Sequence, residues 1–323
     1  MKYVEAAGLR LSAIGLGCWQ FGSRDWGYGN SYGETTAIDI VHEALDLGIN
    51  LVDTAEIYAR GVSEAIVGRA LEGRRGEAFV ATKVFPVWPT ATQVEEHGRL
   101  SSLRLGIAPI DLYQVHWPNP VVPLTSTMDG MRRLQDAQIV DHVGVSNFSE
   151  ERWAAAERAL GRPVATNQVH FSLLQRKPDR GNVAYAQAQD RIVIAYSPLE
   201  MGVLGGRYDA DHPPTGPARR NNPLCLPENL ARAGPVIEAV RRTAKTHDAT
   251  PAQVALAWLI RKPNVVAIPG ASSVDQLRHN AAAADLDLTD DEADELTAES
   301  DRFTPIGGPA TGLAMLRARL TTT

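Results

Sequence analysis

Apolar runs of strand length alternate with stretches of helical periodicity along most of this chain. The runs are AIGLG, INLVD, AFVATK, IDLYQVHW, IVDHVGVSN, PVATNQV, RIVIAYSPL and NVVAIPG. Among the intervals, TTAIDIVHEALDLG is expected to end at Gly48, and SEAIVGRALEG is expected to begin at Ser63 and end at Gly73. Eight strands in strict alternation with helices predict a parallel sheet, and eight such units close naturally into a (β/α)8 barrel.

An open, doubly wound α/β sheet is the alternative. Its dinucleotide-binding form needs a G-x-G-x-x-G turn that opens a helix directly, and GLGCWQFG does not have that spacing. We therefore predict a single barrel domain over residues 1–323, with an N-terminal β-hairpin and long loops at the C-terminal face. The least regular parts are a loop at 205–229 and a tail at 303–323, which is expected to lie over the rim of the active site.

Composition and charge exclude several classes of function. The net charge of the 323 residues is -6 and no stripe of Lys or Arg is present, which argues against nucleic-acid binding. Two cysteines, Cys18 and Cys225, supply neither a disulfide framework nor a metal site. Neither a signal peptide nor an apolar run of membrane-spanning length (roughly 18 residues) is present, so we expect a cytoplasmic protein, with a monomer as the default.

Polar side chains stand at the C-terminal ends of the predicted strands, where a barrel collects its chemistry. They are Asp53, Lys83, His116, Ser146, Asn147, Gln168 and Tyr196, with Tyr58 on the loop after Asp53. Taken singly, Asp53 also fits a helix cap, Tyr58 a packed ring and His116 a half-buried imidazole. Lys83 is harder to explain in structural terms, because a lysine that ends an apolar strand is costly unless it is paired, and Asp53 one strand over is the obvious partner.

Seven short motifs occur in the order and spacing of one family. The motifs DTAEIY, ATK, VHW, GVSNF, NQV, YSPL and IPGASS resemble those of the aldo-keto reductases, and the resemblance runs from GLGCWQFG to DLTDDEADEL, nearly the whole chain. The resemblance implies a (β/α)8 barrel that binds a nicotinamide cofactor without a Rossmann fold. It also implies a catalytic tetrad, which falls on Asp53, Tyr58, Lys83 and His116.

The chemistry of carbonyl reduction agrees with that assignment. Hydride transfer places negative charge on the carbonyl oxygen, and a free tyrosine with a pKa near 10 is a poor proton donor at neutral pH. We expect Lys83 to lower the pKa of Tyr58, Asp53 to keep Lys83 charged and in place, and His116 to orient the carbonyl oxygen.

The resemblance also implies a cofactor groove. Ser146, Asn147 and Gln168 would bind the nicotinamide carboxamide, Tyr196 would stack on its ring, Arg207 would reach the pyrophosphate, and Gln276 and Asn280 the adenine. The start of the last barrel helix, at Ser272 and Ser273, suits a phosphate. The full set of expected cofactor contacts is Gly17, Cys18, Trp19, Asp53, Ser146, Asn147, Gln168, Tyr196, Ser197, Pro198, Leu199, Gly202, Leu204, Arg207, Ile268, Gly270, Ser272, Gln276 and Asn280.

Two departures from the family pattern affect cofactor choice. Many members carry Lys or Arg near Gly270–Ser273 to bind the 2′-phosphate of NADPH, whereas this chain has Gly, Ala, Ser and Ser; His279 replaces a common Glu. We expect NADPH, with Arg278 or Arg207 as compensating cations and NADH as an alternative cofactor.

Aromatic side chains in loops on the same rim predict an apolar substrate pocket. They are Trp19, Trp26, Tyr28, Trp88 and Trp117. The expected substrate is a small apolar or ring-bearing aldehyde or ketone, or the corresponding alcohol.

Three other functions fit parts of the pattern. The same chemistry run backwards gives an alcohol or sugar dehydrogenase. The resemblance also extends to cofactor-binding regulatory β-subunits of potassium channels, against which the intact His116 argues. A barrel isomerase or aldolase would use Lys83 as a Schiff base, for which Lys83 should lack a carboxylate partner.

Overall fold

The fold is known from a computed structural model, which describes residues 1–220 and 222–306. Most of the predicted tail, from residue 307 onward, lies outside the described residues. The placement of the tail over the rim and the extent of one domain over 1–323 therefore stay predictions. Within the described residues, no helix is long and apolar enough to cross a membrane.

Within residues 1–220 and 222–306, ten strands form a hairpin and an eight-stranded parallel sheet. They are β1 (Tyr3–Ala6), β2 (Leu9–Ser12), β3 (Leu16–Gly17), β4 (Leu51–Asp53), β5 (Phe79–Val84), β6 (Ile110–Val115), β7 (Val140–Ser146), β8 (Thr166–His170), β9 (Ile192–Tyr196) and β10 (Val265–Ala267). Strands β1 and β2 pair antiparallel as the predicted N-terminal hairpin, and β3 to β10 pair in chain order. Each of the eight predicted apolar runs supplies one strand of the sheet.

The sheet closes on itself at a seam between its first and last strands. Ile14 is bridged to Ala267 and Gly17 to Gly270, both in parallel, and the Gly15 amide donates to the Ala267 carbonyl at 2.8 Å. A β-carbon at Gly17 would lie 2.7 Å from the carbonyl oxygen of Ile268, so the seam requires glycine there. The (β/α)8 prediction is confirmed, and an open sheet is excluded.

Twelve α-helices lie in the part of the chain that the structure describes. They are α1 (Glu34–Asp46), α2 (Val62–Ala70), α3 (Ala91–Leu105), α4 (Leu124–Asp136), α5 (Glu150–Leu160), α6 (Lys177–Arg180), α7 (Asn182–Ala188), α8 (Pro217–Arg220), α9 (Pro227–Thr246), α10 (Pro251–Ile260), α11 (Val274–Ala281) and α12 (Asp290–Arg302). As expected, Gly48 follows the end of α1 with a φ of 78°.

The prediction that Ser63 opens the second helix was wrong. Gly61 precedes α2 as its N-cap, and Ser63 is the second helical residue. Its hydroxyl is buried, where it donates to the Cys18 carbonyl at 2.8 Å and lies 2.8 Å from the Thr54 hydroxyl. Ser63 stands near a helix start, which is why the sequence suggested a cap. Its hydroxyl instead bonds to groups that follow β3 and β4.

The apolar core has an outer and an inner layer, and the inner layer fills only one end of the barrel. The outer layer lies between strands and helices. The inner one packs Leu11 of the hairpin against Leu51, Leu112 and Val266 inside the barrel. The hairpin thus closes the N-terminal mouth, and the C-terminal mouth is left for a site.

The segment predicted as an irregular loop at 205–229 contains regular structure. Helix α8 lies within it, a 3-10 turn spans Pro223–Cys225, and α9 begins at Pro227. The density of Pro and Asn concealed these elements, because the same residues serve as helix starts and caps: Pro227 begins α9, and Asn222 caps the 3-10 turn.

Candidate active site

Lys83 is the centre of a buried cluster at the base of the open mouth. Lys83 lies one residue before the end of β5, and its side chain is fully buried. Its ammonium donates to Asp53 Oδ1 at 2.6 Å and to the Thr54 carbonyl at 2.7 Å. The same ammonium lies 3.4 Å from the Tyr58 hydroxyl. The pairing of Lys83 with Asp53 that the sequence predicted is present, because β4 and β5 are neighbours in the barrel.

Burial and charge compete in this cluster. Burial would lower the pKa of Lys83, but the charge of Asp53 reverses this and raises it, so the ammonium stays protonated. For Tyr58 the low-dielectric surroundings raise the pKa above 10, and the nearby ammonium opposes the rise without cancelling it. The expected net lowering of the Tyr58 pKa is not found in the protein alone, since desolvation outweighs Lys83.

His116 stands at the end of β6 beside this cluster. Its ring lies 5.9 Å from the Tyr58 ring and 6.0 Å from that of Phe85, edge-on to both. Burial, with a contribution from Lys83, lowers the pKa of His116 to about 3, so the imidazole is neutral at working pH. Its Nδ1 is buried and has no hydrogen-bond partner among the described residues.

A line of hydrogen bonds joins the strand-end amides to the cluster. Gln168 Nε2 donates to Asp53 Oδ2 at 2.7 Å, and the Ser146 hydroxyl donates to the Gln168 carbonyl at 2.8 Å. Asn147 Nδ2 donates to Ser146 Oγ at 3.0 Å, and the Tyr196 hydroxyl donates to Asn147 Oδ1 at 3.0 Å. Side chains from β4, β7, β8 and β9 are therefore held in one fixed arrangement.

The mouth holds a cavity of about 1010 Å³ above the cluster. Most of the predicted site residues line it: Gly17, Cys18, Trp19, Trp26, Asp53, Tyr58, His116, Trp117, Ser146, Asn147, Gln168, Tyr196, Ser197, Pro198, Leu199, Gly202, Ile268, Gly270, Ser272 and Gln276. Lys83 lies beneath its floor. The volume is at the upper end of the range of about 300–1,000 Å³ for ligand pockets, which suits a large ligand together with a small one.

Besides Lys83, several other predicted residues do not line the cavity. Leu204 is buried in the core, and Asn280 is buried with its amide donating to the Gly270 carbonyl at 3.2 Å. Arg207 and Trp88 are exposed and are not among the lining residues, and Tyr28 packs edge-on against Tyr32. Periodicity placed Asn280 on the same helical face as Gln276, but Asn280 is buried and bonded to the Gly270 carbonyl, whereas Gln276 lines the cavity.

Arg219 is the lining cation that sequence reasoning missed. It lies on α8, its Nε donates to the Met201 carbonyl at 2.8 Å, and its guanidinium lies 5.1 Å from the centre of the Trp26 ring. The run PARR lies in a Pro-rich segment, and nothing in that composition predicted that Arg219 lines the cavity at the C-terminal mouth of the barrel. His170 and Glu200, which also line the cavity, were missed as well.

At the part of the cavity lined by Ser272 and Gln276, neither of the two arginines expected to bind a phosphate is among the lining residues. The side chains of Ser272 and Gln276 bond each other at 3.2 Å. Arg278, one of the two expected compensators, is engaged elsewhere, because it forms two contacts with Glu43 of α1 at 2.8 and 3.1 Å. Neither Arg278 nor Arg207 lines the cavity.

Comparison with known proteins identifies the family. A model of the aldo/keto reductase family matches residues 13–301, most of the chain. The chain belongs to the aldo/keto reductase family. As a member, it is an NAD(P)H-dependent oxidoreductase, and the family acts on small-molecule carbonyl substrates.

Curated relatives share most of their length with this aldo/keto reductase. An uncharacterized oxidoreductase of Mycobacterium tuberculosis is 52% identical over 307 residues, 95% of each chain. An aldo-keto reductase of Bacillus subtilis is 33% identical over 292 residues, which cover 86% of this chain and 87% of that one. An NADH-specific methylglyoxal reductase of Escherichia coli is 29% identical and covers 88% and 93%.

Solved structures show the same fold. An aldo/keto reductase from Klebsiella pneumoniae, in complex with NADP and acetate, is 28% identical with a TM-score of 0.74, over 95% of this chain and 97% of that one. A glycerol dehydrogenase from Gluconobacter oxydans is 27% identical with a TM-score of 0.82, over 95% and 98%. The proteins similar to this chain thus include one solved with NADP and one named as NADH-specific.

Proposed function

We propose that this aldo/keto reductase transfers a hydride from NADPH to an aldehyde or ketone, with Tyr58 as the proton donor. The observation that carries the proposal is the position of the Lys83 ammonium, 2.6 Å from Asp53 and 3.4 Å from the Tyr58 hydroxyl beneath a deep cavity. A buried acid, base and phenol so arranged serve proton transfer to an oxygen that develops negative charge.

Tyr58 supplies the proton in this mechanism. Its raised pKa keeps the hydroxyl protonated across the neutral range. When the hydroxyl gives up its proton, the ammonium 3.4 Å away stabilises the tyrosinate that forms. Lys83 therefore stabilises the tyrosinate that proton transfer produces, because the attraction between the two charges arises only once Tyr58 has become negative.

Asp53 keeps that ammonium in position. A buried lysine without a partner would lose its proton or turn away, and Asp53 prevents both with a 2.6 Å contact. The second carboxylate oxygen accepts from Gln168, so the orientation of the carboxylate is itself fixed.

His116 orients the carbonyl oxygen. Because the imidazole is neutral, it carries one N–H and donates a hydrogen bond without adding a charge that would compete with Lys83. Its ring, in edge contact with Tyr58, brings that donor to the same part of the cavity as the phenol.

The residues lining the cavity fit a nicotinamide dinucleotide. Bound there, the cofactor supplies the hydride. Ser146, Asn147 and Gln168 present amide and hydroxyl groups to the carboxamide, and Tyr196 presents a ring face. Arg219 takes the role that Arg207 was expected to have at the pyrophosphate.

Cofactor choice follows from the far end of the groove. With Arg278 held by Glu43, no arginine or lysine of the described lining stands beside Ser272 and Gln276 for a 2′-phosphate. We propose NADPH as the principal cofactor, from the family pattern and the Klebsiella complex, with substantial use of NADH.

A Schiff-base mechanism is disfavoured by the same cluster. Lys83 is fully buried and its ammonium is bound to a carboxylate and a carbonyl, whereas a nucleophilic amine must be neutral and reachable. Borohydride with candidate carbonyl substrates should therefore fail to trap an adduct.

The reductive turnover number should be nearly independent of pH through the neutral range. His116, with a pKa of about 3, stays neutral above about pH 5, and Tyr58, with a pKa above 10, stays protonated up to about pH 9. At saturating cofactor, kcat for reduction should be flat between these limits and fall as pH rises through the Tyr58 pKa, while kcat for alcohol oxidation should rise. An inflection in reductive kcat near pH 6.5 would contradict the neutral His116.

Gln276→Ala should weaken cofactor binding and leave the chemical step intact. Gln276 lines the cavity at the proposed adenosine end and forms no hydrogen bond with the Tyr58 cluster among the described residues, so we expect a Kd about tenfold higher, a loss of about 1.4 kcal/mol, with kcat little changed. Gln253→Ala is a matched control, because Gln253 makes the same helix-start contact, with Thr250, outside the cavity. A defect confined to kcat, or an equal effect of Gln253→Ala, would remove Gln276 from the cofactor site.

A side-by-side titration of Trp fluorescence with NADPH and NADH tests the proposal directly. Trp19, Trp26 and Trp117 line the cavity and should report occupancy by quenching. We expect micromolar binding of NADPH, and a screen of aldehydes and ketones should then give NADPH consumption. If neither cofactor binds, the proposal fails, and a role without redox turnover becomes the better account.

Oxidation of an alcohol is the second candidate function. The specific support is the glycerol dehydrogenase from Gluconobacter oxydans, with a TM-score of 0.82. The same four residues serve both directions, with Tyr58 as acid in reduction and as base in oxidation.

A further inference from the structure

A histidine–carboxylate pair that the proposed mechanism does not use lies in the wall of the cavity. Glu200 Oε1 is 2.8 Å from His170 Nε2 and also accepts from the Ser172 hydroxyl. The Glu200 side chain is 2% exposed and that of His170 is 35% exposed, and both residues line the cavity. The imidazole therefore covers a buried carboxylate on the cavity side.

The pair connects two parts of the cofactor groove. The His170 ring stacks on that of Tyr196, with centres 5.3 Å apart and planes 17° from parallel. Glu200 in turn begins the Glu200–Gly205 turn. Glu200, Met201 and Gly202 there have φ values of 49°, 55° and 98°. A non-glycine residue in this conformation is strained and persists only where its surroundings hold it.

The charge of the pair depends on His170. Burial alone would lower the pKa of His170, but the hydrogen bond and charge of Glu200 reverse this and raise it above 6.5. The other polar groups in contact are neutral: the Ser172 hydroxyl, and the Tyr196 hydroxyl, whose pKa is raised to about 12. Arg219 of α8 reaches the same turn through the Met201 carbonyl and carries a positive charge.

Loss of the imidazole proton would leave Glu200 without the imidazolium charge 2.8 Å away, beside a groove that receives phosphates in the proposed function. It would also weaken the contact that holds the strained turn, because a neutral imidazole can still donate to Glu200 but no longer carries the opposite charge. Both effects act against a dinucleotide, so they add rather than cancel.

We propose that His170 and Glu200 are a positioning pair, which holds the Tyr196 ring and the Glu200–Gly205 turn in the shape that binds a nicotinamide dinucleotide while the imidazole is protonated. The inference rests on the proposed function, because it concerns the cofactor of that same site. Since the folded pKa is raised, the stabilising contribution is complete below about pH 6.5 and is lost as pH rises through the folded value.

The test is the affinity for NADH as a function of pH. NADH is the probe of choice because the 2′-phosphate of NADPH itself titrates near pH 6. For the wild type, we expect the Kd from Trp fluorescence to be constant at low pH and to rise about tenfold across the titration of His170. The cofactor KM should follow the Kd, whereas kcat at saturating cofactor should stay flat.

Two variants separate positioning from simple structural support. His170→Phe keeps a ring against Tyr196 but removes the donor and the charge, so affinity should be weak at every pH and the profile flat. Glu200→Gln keeps an acceptor but removes the negative charge, so its profile should also be flat. His142→Phe, at a half-buried histidine outside the cavity, should retain the wild-type profile.

Several results would overturn the inference. A wild-type Kd for NADH that does not change with pH would do so, as would a wild-type profile retained in both His170→Phe and Glu200→Gln. Absence of any NADPH or NADH binding to the wild type would instead reject the proposed function itself. If only NADPH binds, the difference between wild type and His170→Phe decides, since the phosphate titration is common to both.

Discussion

Replacing Tyr58 with phenylalanine is expected to reduce carbonyl reduction by about 10²–10⁴-fold while cofactor affinity stays near that of the wild type. The substitution removes one hydroxyl, the group 3.4 Å from the Lys83 ammonium, and keeps the ring that contacts His116 edge-on. The loss should appear in kcat, because proton donation is needed only in the transition state. Steady-state kinetics and Trp fluorescence titration measure the two quantities separately.

Tyr28→Phe provides the matched control. It removes a phenol hydroxyl from the same end of the barrel, but Tyr28 does not line the cavity and packs against Tyr32. Its kinetics should equal those of the wild type. Full activity in Tyr58→Phe would exclude Tyr58 as the proton donor, and a parallel loss of cofactor binding would indicate that the hydroxyl mainly shapes the groove.

Replacing Lys83 with methionine should cost both activity and stability. Without the ammonium, nothing opposes the effect of burial on Tyr58, so its pKa rises further and the phenol becomes a weaker acid. We expect reductive kcat to fall by about 10²-fold or more. The buried carboxylate of Asp53 is left without its counter-charge, which should lower the free energy of unfolding by about 3–5 kcal/mol.

The double variant Asp53→Asn with Lys83→Met separates the two effects. Asparagine is neutral and can still pair with Gln168, so most of the lost stability should return in urea unfolding, while activity should not. Recovery of activity together with stability would mean that Lys83 matters only for folding. Retained activity at neutral pH in Lys83→Met alone would contradict its role in proton transfer.

The barrel and its buried cluster could be predicted from the sequence, because both follow from the order and spacing of the strands. Strand ends in a parallel barrel meet at one rim, so Asp53 and Lys83 on successive strands had to be neighbours. Eight apolar runs in alternation with helices allowed few other topologies. The motifs then assigned roles that geometry alone would have left open.

What the sequence could not supply lies in loops and in the balance of energies. Arg219 returns to the mouth through a segment whose composition predicts only irregular chain. Asn280 shares a helical face with Gln276 in projection, yet it is buried and bonded to the Gly270 carbonyl. The pKa of Tyr58 depends on whether burial or Lys83 has the larger effect. Only coordinates give the burial of the hydroxyl and its distance from the ammonium.

The seam between β3 and β10 also bears on how the protein acquires its ligand. Gly17 and Cys18 at the end of β3 and Ile268 and Gly270 after β10 line the cavity side by side across the seam, so β3 and β10 must pair before the cavity is complete. A nascent chain emerging from the ribosome has no cofactor site until its last strand has docked. In the proposed site a dinucleotide would contact both strands of the seam, so its binding would stabilise the closed barrel by mass action.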